Sequence, residues 1–219
     1  MALSPAPSPV SGLTPDPPRA PHAFPRLRWL GLVWLAIYLP SYAAAYGPTN
    51  FLFLCNLGVV LTAVALIVES PLLLSSQALA APVIGLAWSL DAGWRLATGS
   101  FLYGATGYMW DPQYPLFTRL LSLYHVAWPL LVLYCVRRLG YDRRGWALQT
   151  AIAASAIVAA RLLTAPADNV NFAFEDPFFG VQIGPAPVHV AAVLLALAGA
   201  AYGLTHLALD RAFGSARRS

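Results

Sequence analysis

"NFLFLCNLGVVLTAVALIVES", Asn50 to Ser70, is the stretch on which the reading of this chain turns. Its one charge is Glu69, next to the end. A membrane-spanning helix needs ~20 mostly apolar residues, and this stretch supplies them. Yet a thiol and an amide, Cys55 and Asn56, stand side by side near its start. They are either packing groups or part of a reaction centre, depending on what else lies at their depth.

The composition agrees with a lipid-facing protein. The chain has 219 residues, of which 58% are hydrophobic and only 10% charged. Soluble domains carry about 25% charged residues, so this chain has too few to cover a globular surface. Its mean hydropathy is +0.62. All 13 basic residues are Arg, and the net charge of +4 is modest. Those arginines flank apolar runs, which argues against nucleic acid as a partner and leaves membrane lipid. Cys55 and Cys135 fall near opposite faces of the membrane and are not expected to pair.

Residues 1–25 are rich in Pro, Ser and Ala and lack a continuous apolar run. They read as a disordered tail rather than a signal peptide, with His22 inert in it. The expected organisation is this tail, a transmembrane domain over 26–210 and a short basic tail over 211–219.

The apolar runs predict an all-α bundle of six spanning helices. They cover about Leu27 to Ala45, Asn50 to Val68, Pro71 to Leu90, Phe117 to Val136, Gly145 to Leu163 and Pro187 to Leu209. Pro40, Pro82 and Pro129 lie inside spans and mark kinks, which neighbouring helices make tolerable. Arginines cluster before the first span, after the fourth and after the sixth. Those three segments share one side, so both termini are expected in the cytoplasm. "FLYGATGYMW", Phe101 to Trp110, is too short to span and reads as re-entrant or interfacial. The long loops Asp91 to Leu116 and Thr164 to Ala186 carry many aromatics, which form either an interfacial belt or a lid.

In this topology the uncommon polar groups gather in the outer third. Cys55 lies ~8 Å and His125 ~12 Å below the outer boundary at 1.5 Å per helical residue. Asp91, Asp111, Asp168, Asn169, Asn171 and His189 fall at similar or shallower depth. Ionisable groups in spans usually face a cavity or the bundle interior. A cysteine thiolate is a strong nucleophile and a histidine can take its proton. Against that, a buried Cys is more often a small hydrophobe, and a membrane His often only bonds a neighbouring helix. His125 and His189 with Asp91 or Asp111 would suit zinc. But no HxxxH or HExxH pair occurs, and neither a metal nor a cofactor is expected. There is no phosphate-binding Gly-rich loop and no GxSxG.

Elsewhere, Arg161 is expected to snorkel, or to pair with Asp91 or Asp168. Glu69 reads as a solvated helix end. "GAAYG", Gly199 to Gly203, is a small-xxx-small pattern that allows close helix approach, expected inside the bundle.

Three stretches together carry a resemblance: "FLFLCNLGVVL" (Phe51 to Leu61), "PLFTRLLSLYHVAWPLLVLY" (Pro115 to Tyr134) and "ADNVNFAF" (Ala167 to Phe174). In order and spacing they resemble the YwaF-type bacterial integral membrane proteins. That family has eukaryotic relatives which transfer acyl chains between lipids through a Cys and a His. More distant relatives, of the androgen-induced type, hydrolyse fatty acid esters of hydroxy fatty acids through a Thr and a His. The resemblance implies a bacterial plasma-membrane protein with Cys55 as nucleophile, His125 as base and Asn171 near the pocket. Thr49 is more exposed than Cys55 and is the weaker candidate. "WDPQYPLF" and "GYDRR" are not features of that family.

The leading expectation is therefore a lipid acyl-ester hydrolase or acyltransferase working from the outer leaflet. In it Asn56 or Asn171 donates to the oxyanion, and Asp91 or Asp111 orients His125. The alternative is a non-enzymatic protein that binds or carries a small amphipathic molecule or lipid in an outward-facing cavity. Catalysis requires Cys55 and His125 within about 4 Å, or one bridging water. A third reading, a scaffold, requires a closed and fully packed bundle.

Overall fold

The computed structural model describes residues 22–214, which are helical with no strand among them. The α-helices are α1 (Leu27–Tyr46), α2 (Leu54–Val68), α3 (Pro71–Thr98), α4 (Leu116–Leu121), α5 (Tyr124–Leu139), α6 (Gly145–Leu163), α7 (Ala186–Leu195) and α8 (Tyr202–Phe213). Five segments are long and apolar enough to cross a membrane: α1, α3, α4 with α5, α6, and α7 with α8. Helix α2 is apolar but shorter.

The distribution of side chains is that of a protein solvated by lipid. Trp29, Leu30, Leu86, Leu130, Leu195 and Leu204 all face outward. The buried set includes Ser75, Ser76, Gln77, Gln149, Asn56 and His125. Water would penalise such an exterior at ~25 cal/mol per Å² of apolar surface; hydrocarbon does not.

Three expected spans are interrupted. The second does not begin as an α-helix at Asn50. Pro48–Leu52 form a 3-10 turn, Phe53 is extended (φ −59, ψ 132), and α2 starts at Leu54. The fourth breaks at Ser122 and Leu123, where His125 N–H bonds Ser122 O at 3.1 Å and Val126 N–H bonds Leu123 O at 3.0 Å. The sixth contains a π-helical turn over Ala196–Ala201. This turn is opened where the Trp146 indole N–H donates to Ala198 O at 2.9 Å. Helix α3 is longer than expected and ends at Gly99 (φ +79), which caps it in the left-handed region. Residues 101–110 form a loop with one 3-10 turn, Gly107–Met109.

Helix α3 lies at the centre, against α2, α5 and α6. Its contact with α5 depends on Gly85 and Pro129. Proline lacks the N–H that would bond the carbonyl four residues earlier, here that of His125. Gly85 lies directly against that carbonyl and the Pro129 ring, where a Cβ would collide. Gly145 approaches the Ser75 backbone as closely, at 2.9 Å for an added Cβ. The glycines of "GAAYG" do not serve in this way. An added Cβ at Gly199 meets nothing within 4 Å, and one at Gly203 meets only Ala198 O of its own segment at 3.5 Å. The expected packing role is therefore not filled: neither glycine lies against another helix.

Glu69 is not a free helix end. Its carboxylate accepts the Phe24 N–H at 3.3 Å and lies 3.4 Å from His22 Nδ1. Phe24 itself is buried, with its ring 6.4 Å from that of Tyr134. The chain is therefore packed against the bundle from before α1 begins. Residues 1–21 and 215–219, most of the two expected tails, lie outside the described residues.

Candidate functional site

The groups singled out in the sequence lie at one end of the bundle, where α1, α3 and α6 finish and α2 and α5 begin. At its centre is the Asn56 side chain, buried between α1 and α5. Its Oδ1 accepts from Tyr38 OH at 2.6 Å and from Tyr124 OH at 2.9 Å. Two lone pairs are thereby filled. The Cys55 thiol is a third, weaker donor to the same oxygen at 3.6 Å. Asn56 Nδ2 donates to Asn50 O at 2.7 Å.

That last bond has a structural cause. The break at Phe53 frees backbone groups that water cannot satisfy in a bilayer. Asn56 takes the carbonyl of Asn50. Asn171 accepts the Leu54 N–H at 2.9 Å and donates to Leu52 O at 2.8 Å. Asn171 adopts φ +56 to do so, a left-handed geometry that asparagine tolerates. Both amides thus repair the entry to α2, and each has an N–H committed to a carbonyl. The expected oxyanion role of Asn56 and Asn171 competes with these bonds.

His125 is buried and stacked. Its ring lies 4.9 Å from Trp88, nearly parallel at 4°, and 4.1 Å from Tyr124 on the other side. Nδ1 faces the Ser122 carbonyl at 2.8 Å. A carbonyl can only accept, so Nδ1 carries the proton and Nε2 the lone pair. Among the described residues no hydrogen bond joins the Cys55 thiol to His125. Tyr124 connects them instead, with its ring on the imidazole and its hydroxyl on Asn56. Ser122 also exchanges a hydrogen bond with Tyr42 OH, and the Trp88 indole donates to Tyr108 OH at 2.9 Å.

Neither acid expected to orient His125 does so. Asp91 is fully buried and accepts from the N–H groups of Leu102, Tyr103, Gly104 and Thr106 and from the Thr106 hydroxyl, at 2.6–3.2 Å. It ties the loop after α3 back onto that helix. Tyr103, in this loop, bonds Ala87 O; burial and then the Asp91 charge push its hydroxyl up to about 12. Asp111 accepts the Gln113 N–H at 3.0 Å in an exposed turn. The His125 tautomer is set by a backbone carbonyl, which no residue pattern advertises.

Arg161 pairs with neither Asp91 nor Asp168. It donates to Ala173 O at 3.1 Å and Gln182 Oε1 at 2.9 Å, and lies 4.4 Å over the Phe174 ring. His189 is fully buried; its Nδ1 accepts the Ile183 N–H at 3.1 Å and its Nε2 faces Phe172 O at 2.9 Å. Both residues fasten the loop between α6 and α7. Among the described residues no three His, Cys, Asp or Glu side chains converge as a metal site would need.

The participants missed by sequence reasoning are Tyr38, Tyr42, Tyr124 and Ser122. A signal was present: Tyr38, Tyr42 and Tyr46 recur every four residues on α1, one helical stripe. Tyr38 and Tyr42 are the two buried residues of that helix. A groove of about 460 Å³ opens beside this stripe, lined by Ser41, Ala44, Ala45, Gln113, Tyr114, Pro115 and Thr118. Neither Cys55 nor His125 lines it. A second recess of about 520 Å³ is an apolar furrow on the outside of α6. Compared with known protein families, with functionally described proteins and with solved structures, the chain shows no significant match.

Proposed function

We propose that this chain is a six-span protein of the bacterial plasma membrane, with both termini cytoplasmic. In this reading it binds a small amphipathic molecule or lipid at the Cys55 end and does not perform acyl transfer. The observation that carries the choice is the commitment of the thiol: Cys55 bonds Asn56, which also takes the Tyr124 hydroxyl, while the Tyr124 ring stacks on His125. A Cys–His acyltransferase needs those two side chains in direct reach.

The topology rests on two arguments. Helix α2, with 15 residues, is about 22 Å long at 1.5 Å per residue. The 3-10 turn before it adds about 10 Å at 2 Å per residue. Together they match a hydrocarbon core of about 30 Å. With six crossings, the arginines flanking α1, following α5 and following α8 share the cytoplasmic side.

The binding role is assigned to the groove beside the tyrosine stripe. Its volume lies within the ~300–1,000 Å³ of ligand sites, and its lining mixes small apolar residues with Ser41, Gln113, Tyr114 and Thr118. Native mass spectrometry of wild type, Cys55→Ala and Thr118→Trp tests this. An amphipathic molecule retained by wild type and Cys55→Ala but lost from Thr118→Trp is expected. A hydroxylamine-labile acyl adduct on Cys55 would overturn the proposal and restore the acyltransferase.

A further inference from the structure

The turn Asp176 to Val181, "DPFFGV", is built rather than loose. The Asp176 carboxylate accepts the N–H groups of Phe178 at 2.9 Å, Phe179 at 2.8 Å and Val181 at 3.2 Å. Its own N–H bonds Val181 O at 3.0 Å, and Gly180 closes the turn at φ +63. The result of this bonding is display. Phe178 and Phe179 are 84% and 83% exposed, the highest values among the large hydrophobic residues. Burying a Phe is worth ~1.5–3 kcal/mol, so holding two of them in water would be a costly use of an ordered turn.

The turn is fastened at the level where two spans meet the membrane surface. Gln182 bonds Arg161, in the last turn of α6. Ile183 bonds His189, in the first turn of α7. Those same helical turns expose Leu162, Leu163 and Val188. The phenylalanines therefore continue an apolar surface that faces lipid. Val181 and Ile183, half exposed beside them, extend it.

We infer that the Asp176–Val181 turn is an aromatic wedge seated in the bilayer interface beside α6 and α7, with Phe178 and Phe179 among the lipid chains. The Asp176 carboxylate holds the wedge in shape, and Arg161 and His189 hold it at depth. Aromatic side chains favour this zone. The loop is an anchor and does not cover the groove by α1. This inference stands apart from the ligand proposal, since it uses none of the same residues.

The test places a spin label at Phe179→Cys in a Cys55→Ser, Cys135→Ala background, reconstituted in phosphatidylcholine/phosphatidylglycerol vesicles. Circular dichroism checks that the helices persist. Collision with oxygen, which concentrates in lipid, is expected to exceed collision with a water-soluble nickel chelate several-fold. Adding Asp176→Ala should lower that ratio. A label reached mainly by the nickel chelate would place the turn in water and overturn the inference. A label reached by neither would bury it against protein, and overturn it equally.

Discussion

The two ends of the bundle solve the problem of buried polarity differently. At the Cys55 end the network around Asn56 is neutral, aromatic and bonded to itself: Tyr38, Tyr124 and Cys55 all aim at one amide oxygen. At the Glu69 end, charges sit at the margin and pair there. Arg143 meets Asp210 in a two-pronged contact at 2.6 and 2.7 Å, and Arg144 meets Asp142. Ser75 Oγ accepts the Asp142 N–H at 2.9 Å, and Tyr141 bonds His206 Nδ1 at 2.7 Å. Burial, and then the Asp210 and Asp142 charges, push the Tyr141 hydroxyl up, so it stays protonated. A charge is too costly to bury unpaired, whereas an amide with filled valences is not. The neutral network therefore tolerates depth, and a carboxylate does so only where donors fill it, as the loop N–H groups and the Thr106 hydroxyl do for Asp91.

This contrast can be broken most severely at Asn56. Asn56→Leu strips the acceptor from two buried tyrosine hydroxyls, while the Asn50 carbonyl keeps the Phe53 N–H at 3.2 Å. Each stranded group costs about 1–3 kcal/mol, so a loss of about 3 kcal/mol is expected in unfolding from mixed micelles. A midpoint unchanged from wild type would mean the network is not a stabilising unit. Gln77→Leu probes the deep polar pair between the two ends. Gln77 Nε2 meets Gln149 Oε1 at 3.3 Å, a long interhelical bond, beside a local one to Ser76 Oγ at 3.0 Å. Interhelical bonds in membranes average ~0.6 kcal/mol, so the same assay should show a loss of about 1 kcal/mol. A loss matching that of Asn56→Leu would erase the distinction between a shared acceptor and one long interhelical bond.

The pH response sharpens the contrast further, because Asp176 is a second charge filled by backbone N–H groups at the Cys55 end. The N–H groups of Phe179, Phe178 and Val181 hold its carboxyl below the ordinary value of 3.8. A depressed folded pKa contributes stability that is fully present above 3.8 and is lost as pH falls through the folded value. Amide exchange of residues 178–181 should stay slow from neutral pH to about 4 and accelerate only in stronger acid. Asp176→Asn should remove that acid step; persistence of the step would assign it to another group. The smallest effect is expected for Arg143→Ala. Its pair with Asp210 is largely exposed, so salt should screen it. A midpoint shift that survives 1 M salt would show that this margin is less solvated than its exposure suggests.

Most of the helical plan was legible in the sequence because it depends on composition along one dimension. Apolar length marked all six runs, and Gly145 to Leu163 agrees to the residue with α6. The interruptions were not legible. Phe53 is extended because Asn171, more than a hundred positions away, takes the hydrogen bonds an α-helix would have made. The break before Tyr124 is similar: the Ser122 carbonyl accepts both the His125 N–H and its ring. The gathering of His125, Asn56 and Cys55 at one end followed from helix direction alone. Their pairing did not, because helix rotation and the size of Tyr124 decide who touches whom.

By itself, then, the sequence determined that the described residues are helical, apolar enough for lipid and uneven in where they place their polar groups. Those properties are sums over local residues, and no neighbour can change them. The tertiary structure alone decided that Cys55 bonds an amide rather than a base, that Asp91 and Asp176 shape loops, and that Phe178 and Phe179 stand exposed. Those outcomes depend on distances of a few ångströms between residues far apart in the chain. A hydrogen bond is made or lost over such a distance, and apolar length carries no information about it.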